Sequence, residues 1–342
     1  MRLPRAAFAA VAVAVVIAFA APRDSYKMLL RSIFRSLRQG DSTAQGVARA
    51  RHIETIYPIE VGQKRLFEDP YAKHFYAGSA VTALLFDWVG PVMLFRLLGN
   101  VNAGIQPAMA GRTAEFDAQV QTAVEAGCKQ YVILGAGYDT RGLRLNLPPD
   151  VNVFEVDQPK VQHRKRAKLS AIPGLTVPSN IHFVAADFNA EDSMAPLTSH
   201  PAYDVRAPTV FTLEGVTPYI TKGAAANTLA KAASISGPAS RFLISYMPQA
   251  LWEAPEKCGD AREIRAWVRT ATWTAETIVG EPLISGWNAT ELAATMQAHG
   301  FTVERDVSLV PELNRDYFVP AGRPVPDEHQ VMIERLATAV KK

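Results

Sequence analysis

Three acids and a pair of glycines are spaced along this chain as the groups of a nucleotide-type cofactor site would be. Gly135 and Gly137 follow directly on the apolar run Tyr131, Val132, Ile133, Leu134. Asp157 lies 20 residues after Gly137 and closes the run Val151 to Val156, Asp187 follows the run Ile181 to Ala185, and Glu214 follows Thr209 to Leu213. Short apolar runs rich in strand-forming residues and ended by turn residues read as buried parallel strands. A glycine pair at a strand end opens backbone angles closed to other residues and lets a ligand approach the main chain. Acids at neighbouring strand ends supply acceptors for hydroxyls, amines and cationic centres.

The G-x-G turn alone does not name the ligand, because dinucleotide folds use the same device and also place an acid about 20 residues further on. The third glycine of that fingerprint brings a helix N-terminus to a pyrophosphate, and here Thr140 stands in its place. No Walker A lysine follows, so phosphate cradling is disfavoured. Successive strand-end acids suit a ligand with a ribose, an exocyclic amine and a cationic centre, and S-adenosylmethionine has all three. Asp157 then takes the ribose hydroxyls, while Asp187 accepts from the adenine amino group with Phe188 beside the ring. Either acid alone also reads as a helix N-cap, and Pro159 suits a first helical turn. Two other readings stay open: a nicotinamide-dependent oxidoreductase, weakened by Thr140, and a membrane-tethered protein that holds the cofactor without turnover.

The elements that must position these residues alternate. Residues 44–127 read as mainly helical, broken at Pro58, Pro70, Pro91 and Pro107, with Asp117 to Ala126 as a helix feeding the first strand. After it, strand-like runs alternate with helices at Gln158 to Ser170, at about Gly223 to Ile235, and from near Asn288 or Thr290. A fifth strand is expected at Arg241 to Tyr246, and the last two at Phe301 to Val307 and Asp316 to Val319. This order predicts an α/β fold, a mostly parallel sheet with helices on both faces. From Pro248 to about Gly286 the alternation stops, and Trp252, Trp267, Trp273 and Trp287 fall in or beside that stretch. It reads either as a lid or pocket insertion, or as tryptophans that pack the insertion onto the core.

Composition bounds the rest. The 342 residues carry 36 Lys and Arg against 33 Asp and Glu, yet residues 1–38 hold seven basic residues and one acid. The remainder is slightly acidic, so the pI of 8.8 gives no support to a nucleic-acid partner. Two distant cysteines, Cys128 and Cys258, and seven histidines without ligand spacing point to no disulfide framework and no metal. An apolar run from Ala6 to Ala21 follows Arg2 and Arg5, and a basic segment from Lys27 to Arg38 spaces Leu29, Leu30, Ile33, Phe34 and Leu37 as one helical face. Secretory signal, signal anchor, organellar targeting and membrane-surface helix are all compatible with this leader. Membrane association through residues 6–38, or import into an organelle, is the expectation for location, with the catalytic body soluble.

Taken in order, R-T-A-E-F-D (Arg112 to Asp117), L-G-A-G-Y-D-T-R (Leu134 to Arg141), F-E-V-D-Q-P (Phe154 to Pro159) with K-x-x-x-L (Lys165 to Leu169), A-D-F (Ala186 to Phe188) and L-E-G-V-T-P-Y-I (Leu213 to Ile220) resemble the leucine carboxyl methyltransferase family. F-E-D-P-Y-A (Phe67 to Ala72) is similar to an element of its bacterial and fungal members. The resemblance implies a Rossmann-like class I methyltransferase fold: a seven-stranded, mostly parallel sheet with one antiparallel strand in its last pair, plus a helical N-terminal extension. The chain itself reads as a leader over 1–43 and a methyltransferase domain over 44–342, with a helical part 44–127 and a tryptophan-rich insertion 248–287; the leader and the details of the insertion lie outside the resemblance. The resemblance further implies that Arg112 pairs with the methionyl carboxylate of S-adenosyl-L-methionine, that Gly135 lies at the methionyl moiety with Gly137 in the same turn, and that Asp157 binds ribose. Asp187 and Phe188 would contact adenine, and Glu214 would lie near the amino group and sulfonium. Arg112 and Glu214 read equally as a structural ion pair. The expected reaction is methyl transfer to a carboxylate or hydroxyl of a small-molecule acceptor, with Tyr219 as a substrate-facing candidate in the catalytic position. A carboxylate nucleophile needs no general base, so none is named. Arg141 is expected to pack on a helix surface or to bind an acidic substrate.

Overall fold

A computed structural model of the chain describes residues 42–57, 59–76, 90–187, 192–276 and 282–342. Residues 1–41 of the leader and Phe188 lie outside the described residues, and the last two leader residues, Ser42 and Thr43, open the first helix. Seven strands, β1 (Gln130–Leu134), β2 (Asn152–Asp157), β3 (Ile181–Ala185), β4 (Thr209–Leu213), β5 (Arg241–Tyr246), β6 (Phe301–Ser308) and β7 (Arg335–Lys341), form one sheet in the order β3-β2-β1-β4-β5-β7-β6. The first five strands pair in parallel, β7 runs antiparallel to β5, and β6 runs antiparallel to β7. The chain winds outward from β1 to β3 and then crosses to β4. The point of reversal therefore lies between β1 and β4, where open α/β sheets hold their ligands beyond the carboxyl ends of the strands.

Every residue of β1 and β4 is buried, as two covered faces require. The alternation of side chains divides the core in two. Tyr131 and Ile133 join Val153, Val210 and Leu243 on one face, under Phe116 and Val120 of helix α2 (Gly90–Glu125). Val132 and Leu134 join Phe154, Phe211 and Ile244 on the other, under Leu229 of helix α4 (Lys222–Ser234) and Met296 of helix α6 (Ala289–Ala298). Between them in sequence come α3 (Pro159–Ser170), started by a proline at its first position, and α5 (Ala261–Thr274), capped by Asp260. Helix α1 (Ser42–Ile56) packs on α2.

Two predicted boundaries are corrected. Pro107 lies inside α2 and does not break it. One lost hydrogen bond and a steric clash cost about 3 kcal/mol, and the packing of α2 against α1 and α5 offsets that. The last strand is Arg335–Lys341, while Asp316 to Val319 falls on a π-helical turn, Asn314–Phe318, and the residue after it. The run Asp-Tyr-Phe-Val is too short for its period to distinguish strand from helix. Here Asn314 fixes the turn by accepting from Val325 N at 2.8 Å. The true β7 is held on both edges, with Ala337 opposite Ile244 of β5 and Asp306 of β6.

The tryptophan-rich segment is an excursion from the sheet, since Pro248 and Trp287 form a bridge that brings its two ends together. Its tryptophans divide. Trp287 is buried and Trp267 packs against the core, whereas Trp252 and Trp273 are exposed. Cys128 and Cys258 are both free and buried.

Candidate functional site

At the end of β1 the chain turns at Gly135 and Gly137, with φ of +70° and +42°. Those angles favour glycine, and at Gly135 space excludes anything larger, because a Cβ would lie 2.6 Å from Val216 Cγ2 beside the end of β4. The turn is fixed from β2. Gly135 N and Ala136 N donate to Val156 O at 2.9 and 3.1 Å, and Asp157 Oδ2 accepts from Gly137 N at 2.6 Å. Asp157 Oδ1 also accepts from Gln158 N at 2.7 Å, and Gln158 is the residue that occupies the N-cap of α3, so Asp157 is not a cap. A carboxylate accepts up to about four hydrogen bonds, so holding the turn is compatible with receiving ribose hydroxyls. Asp187 stands exposed two residues beyond β3, on the same edge of the sheet, and Ala186 N donates to Asp157 O at 2.9 Å.

A chain of buried ion pairs runs beside this turn. Arg51 Nε of α1 lies 2.8 Å from Asp69 Oδ2, and Arg144 Nε lies 3.8 Å from the same oxygen. Arg144 Nη1 pairs with Asp117 Oδ2 of α2 at 2.5 Å. Asp117 Oδ1 pairs with Arg141 Nε at 2.7 Å, and Arg141 Nη1 reaches both Asp139 Oδ2 (2.5 Å) and Glu214 Oε2 (2.6 Å). Glu214 Oε1 accepts from Arg112 Nε at 2.8 Å, and Arg112 Nη1 donates to Glu334 Oε2 at 2.7 Å. Four guanidiniums and five carboxylates thus form one ladder from α1 to the start of β7.

Burial by itself would raise the carboxyl of Glu214, but Arg141 and Arg112 outweigh it and hold it below the ordinary value. Burial likewise opposes ionisation of Asp139 and Asp69, and it is overcome by Arg141 and Arg51 at the first and by Arg51 and Arg144 at the second. Arg112 gains the reverse effect: desolvation works against its charge, and Glu334 and Glu214 more than restore it. One neighbouring pair behaves differently. Glu155 lies 2.5 Å from Lys165, and burial pushes its carboxyl up to about 7 in spite of that lysine. Lys165 Nζ also donates to Asp139 O at 2.5 Å, which ties α3 to the turn after β1.

Thr140 explains why a phosphate does not belong here. It is fully buried, and its Oγ1 donates to Asp69 Oδ2 at 2.6 Å, anchoring the F-E-D-P-Y-A segment to the turn. The helix after it spans only Arg141–Arg144, and the N–H of Arg141 is already taken by Asp139 Oδ1 at 2.7 Å. A carboxylate at that helix start repels the anion that a dinucleotide site attracts. Arg141 itself is buried among three acids and packs on the surface of α2, over the Phe116 ring and against Asp117, which matches the helix-packing expectation and leaves no guanidinium exposed to capture an acidic substrate.

Residues 44–233 match the leucine carboxyl methyltransferase family. The chain belongs to that family. A Rhodococcus jostii (strain RHA1) protein is 31% identical over 299 residues, covering 85% of this chain and 90% of its own length. A Mycobacterium marinum protein is 30% identical over 295 residues, covering 84% and 86%. Both carry the provisional name S-adenosyl-L-methionine-dependent methyltransferase. Among solved structures, a DUF574 family protein from Streptomyces avermitilis superposes with a TM-score of 0.53 at 16% identity, covering 86% of this chain and 97% of that one, which shows a shared fold. The chain is therefore an S-adenosyl-L-methionine-dependent methyltransferase of this family, and the nicotinamide reading falls away.

The structure brings Arg112, Gly135, Gly137, Asp157 and Glu214 together at the reversal point and sets Asp187 on the same edge. Tyr219 ends a short 3-10 turn, Thr217–Tyr219, six residues after β4 closes and half-buried. Asp69 and Asp117 lie inside the sequence motifs but have no role legible there, and Arg51, Arg144 and Glu334 lie outside every motif. No local signal marks Glu334, which is 222 residues from Arg112. A separate cavity of about 300 Å³ opens between α1, α2 and residues 318–329, with the Glu54–Arg323 pair in its wall.

Proposed function

We propose that this methyltransferase transfers the methyl group to an oxygen, a carboxylate or an acidic hydroxyl, of a small-molecule acceptor. The observation that carries this reading is the state of Glu214. Both its oxygens are held by guanidiniums and its carboxyl stays below the usual range, so it is unfit to take a proton from an acceptor at neutral pH. An acceptor that already presents an anionic oxygen needs no base. When bound, the cofactor supplies a sulfonium-activated methyl group, transferred by in-line displacement.

The chain's own residues do the rest. Arg112 binds the methionyl carboxylate, Asp157 the ribose, and Asp187 with Phe188 the adenine, while the Gly135–Gly137 turn lets the cofactor lie close to the main chain. The fit is supported by the missing Cβ at Gly135, by the carboxylate beside Gly137 N, and by a ladder whose formal charge is one negative, opposite to that of the cofactor. Tyr219, at the carboxyl edge of β4, orients the acceptor through its phenol. The leader, residues 6–38, associates with a membrane surface or directs import, leaving the body soluble. Among the described residues no helix is long and apolar enough to cross a membrane.

The test is to incubate the purified chain with S-adenosyl-L-methionine carrying a labelled methyl group and a metabolite extract, then to treat labelled products with mild alkali. Release of labelled methanol identifies a carboxyl ester, and alkali-stable label on oxygen identifies an ether. Label on nitrogen or carbon alone would overturn the oxygen assignment.

A further inference from the structure

Glu334 precedes β7, and the register places Arg335 opposite Tyr246, the last residue of β5. Because β7 runs against β5, the start of β7 lies at the carboxyl edge of the parallel strands. The antiparallel strand thereby delivers a side chain to the edge where the glycine turn and Glu214 lie. Leu309 N donates to Glu334 O at 3.1 Å, which fixes the backbone at that point. The side chain is buried, with 7% of its surface exposed, and Oε2 accepts from Arg112 Nη1 at 2.7 Å.

Its second oxygen has no such partner. Among the described residues nothing donates to Glu334 Oε1, although the atom is shielded from solvent. A charged oxygen left without a donor inside a protein is costly, so such an atom calls for a partner from outside the chain, a ligand, an ion or a water. Glu214 differs in this respect, with one guanidinium on each oxygen. Glu334 is also the end of the ladder, whose five carboxylates outnumber its four guanidiniums by one. A single positive group is what the cluster lacks.

We propose that Glu334 is a methionyl-site acid of this enzyme, holding Arg112 with Oε2 and accepting from the α-ammonium of S-adenosyl-L-methionine with Oε1. The proposal rests on the cofactor-site reading above. It assigns Glu214 a different part: that residue sets the plane of Arg112 through Nε, while Glu334 reads the ammonium. One residue thus positions the guanidinium that meets the cofactor's carboxylate and itself meets the adjacent amine. An amino acid head group with both charges is recognised as a unit, and an analogue without it is not.

The experiment uses the full chain and two ligands that share adenine and ribose. S-adenosylhomocysteine has the amino acid head group, and 5′-methylthioadenosine lacks it. Calorimetric titration of wild type and Glu334→Gln should show S-adenosylhomocysteine binding weakened about ten- to hundredfold in the variant. Binding of 5′-methylthioadenosine should stay within about twofold of wild type. Unchanged S-adenosylhomocysteine affinity overturns the proposal, and so does equal weakening of both ligands, which would mark Glu334 as purely structural. Should Glu334→Gln fail to fold, Glu334→Asp keeps the charge and withdraws the carboxylate by one methylene, and it must show the same selective loss. Wild-type protein that binds neither ligand overturns the cofactor-site reading and this proposal with it, and is distinguished by its failure before any substitution is made.

Discussion

Arg141 Nη1 lies 2.6 Å from Glu214 Oε2, joining the helical turn after β1 to the end of β4 across the reversal point of the sheet. The same guanidinium holds Asp117 of α2 and Asp139 of the glycine turn, so one buried side chain ties three segments together. Arg141→Leu leaves these acids facing one another in a dry environment. The expected loss is about 3 to 5 kcal/mol of stability, read as a lower urea midpoint. Arg141→Lys should recover little of it, because a point charge cannot serve three carboxylates as a planar fork does. Full recovery by lysine would show that charge alone matters here.

Gly135→Ala tests the turn. A left-handed backbone angle costs an alanine about 1 to 2 kcal/mol, and the added Cβ also meets Val216 Cγ2 at 2.6 Å. The variant should unfold earlier and bind the cofactor less tightly. Adding Val216→Ala removes the collision but not the backbone strain, so the double variant should regain part of the stability and not all. Complete rescue would mean that the angle costs nothing.

Asp157→Asn keeps the size of the side chain and removes its charge. Weakening of cofactor binding by about 1.5 to 3 kcal/mol, measured by calorimetry, is expected for the loss of charge-assisted hydrogen bonds. A change in thermal stability without a change in affinity would assign Asp157 only to its bonds with Gly137 N and Gln158 N.

Acid should undo the ladder. Glu214, Asp139 and Asp69 have folded-state values below their unfolded ones. Their contribution is complete above the unfolded carboxylate range, about 4, and is lost as pH falls through the folded values. Glu155 acts in the opposite sense. Burial raises it to about 7, so its contribution is complete below the unfolded value and is lost as pH rises through about 7. Urea midpoints followed from neutral to acid pH should therefore rise first and then fall. A profile that falls steadily from neutral pH would show that Glu155 ionises as an ordinary carboxyl.

The leader gives a prediction about location. Deleting residues 1–38 removes seven of the 36 basic residues and the apolar run. The truncated chain should leave the membrane pellet for the soluble fraction with its cofactor affinity intact. If it still sediments with membranes, the anchor lies in the body.

What the sequence determined by itself was whatever is written locally. The strand runs at Tyr131, Val153, Ile181, Val210 and Phe242 were legible because a parallel strand covered on both faces is an uninterrupted apolar run. The glycine turn and Asp157 were legible because ligand approach demands them at fixed offsets from a strand end. The second half of the antiparallel pair was not legible. Arg335–Lys341 is basic at both ends and rich in small residues, and only its placement between β5 and β6 makes it a strand. The ion-pair ladder was hidden for the same reason. Arg112 and Glu334 are 222 residues apart, and no propensity or period links them. Arg51, Asp69, Asp117 and Arg144 look like ordinary surface charges until burial removes water and each must find its counter-charge within the fold. Tertiary structure alone decided which charges are solvated and which must pair, because desolvation belongs to the folded chain and not to any segment of it.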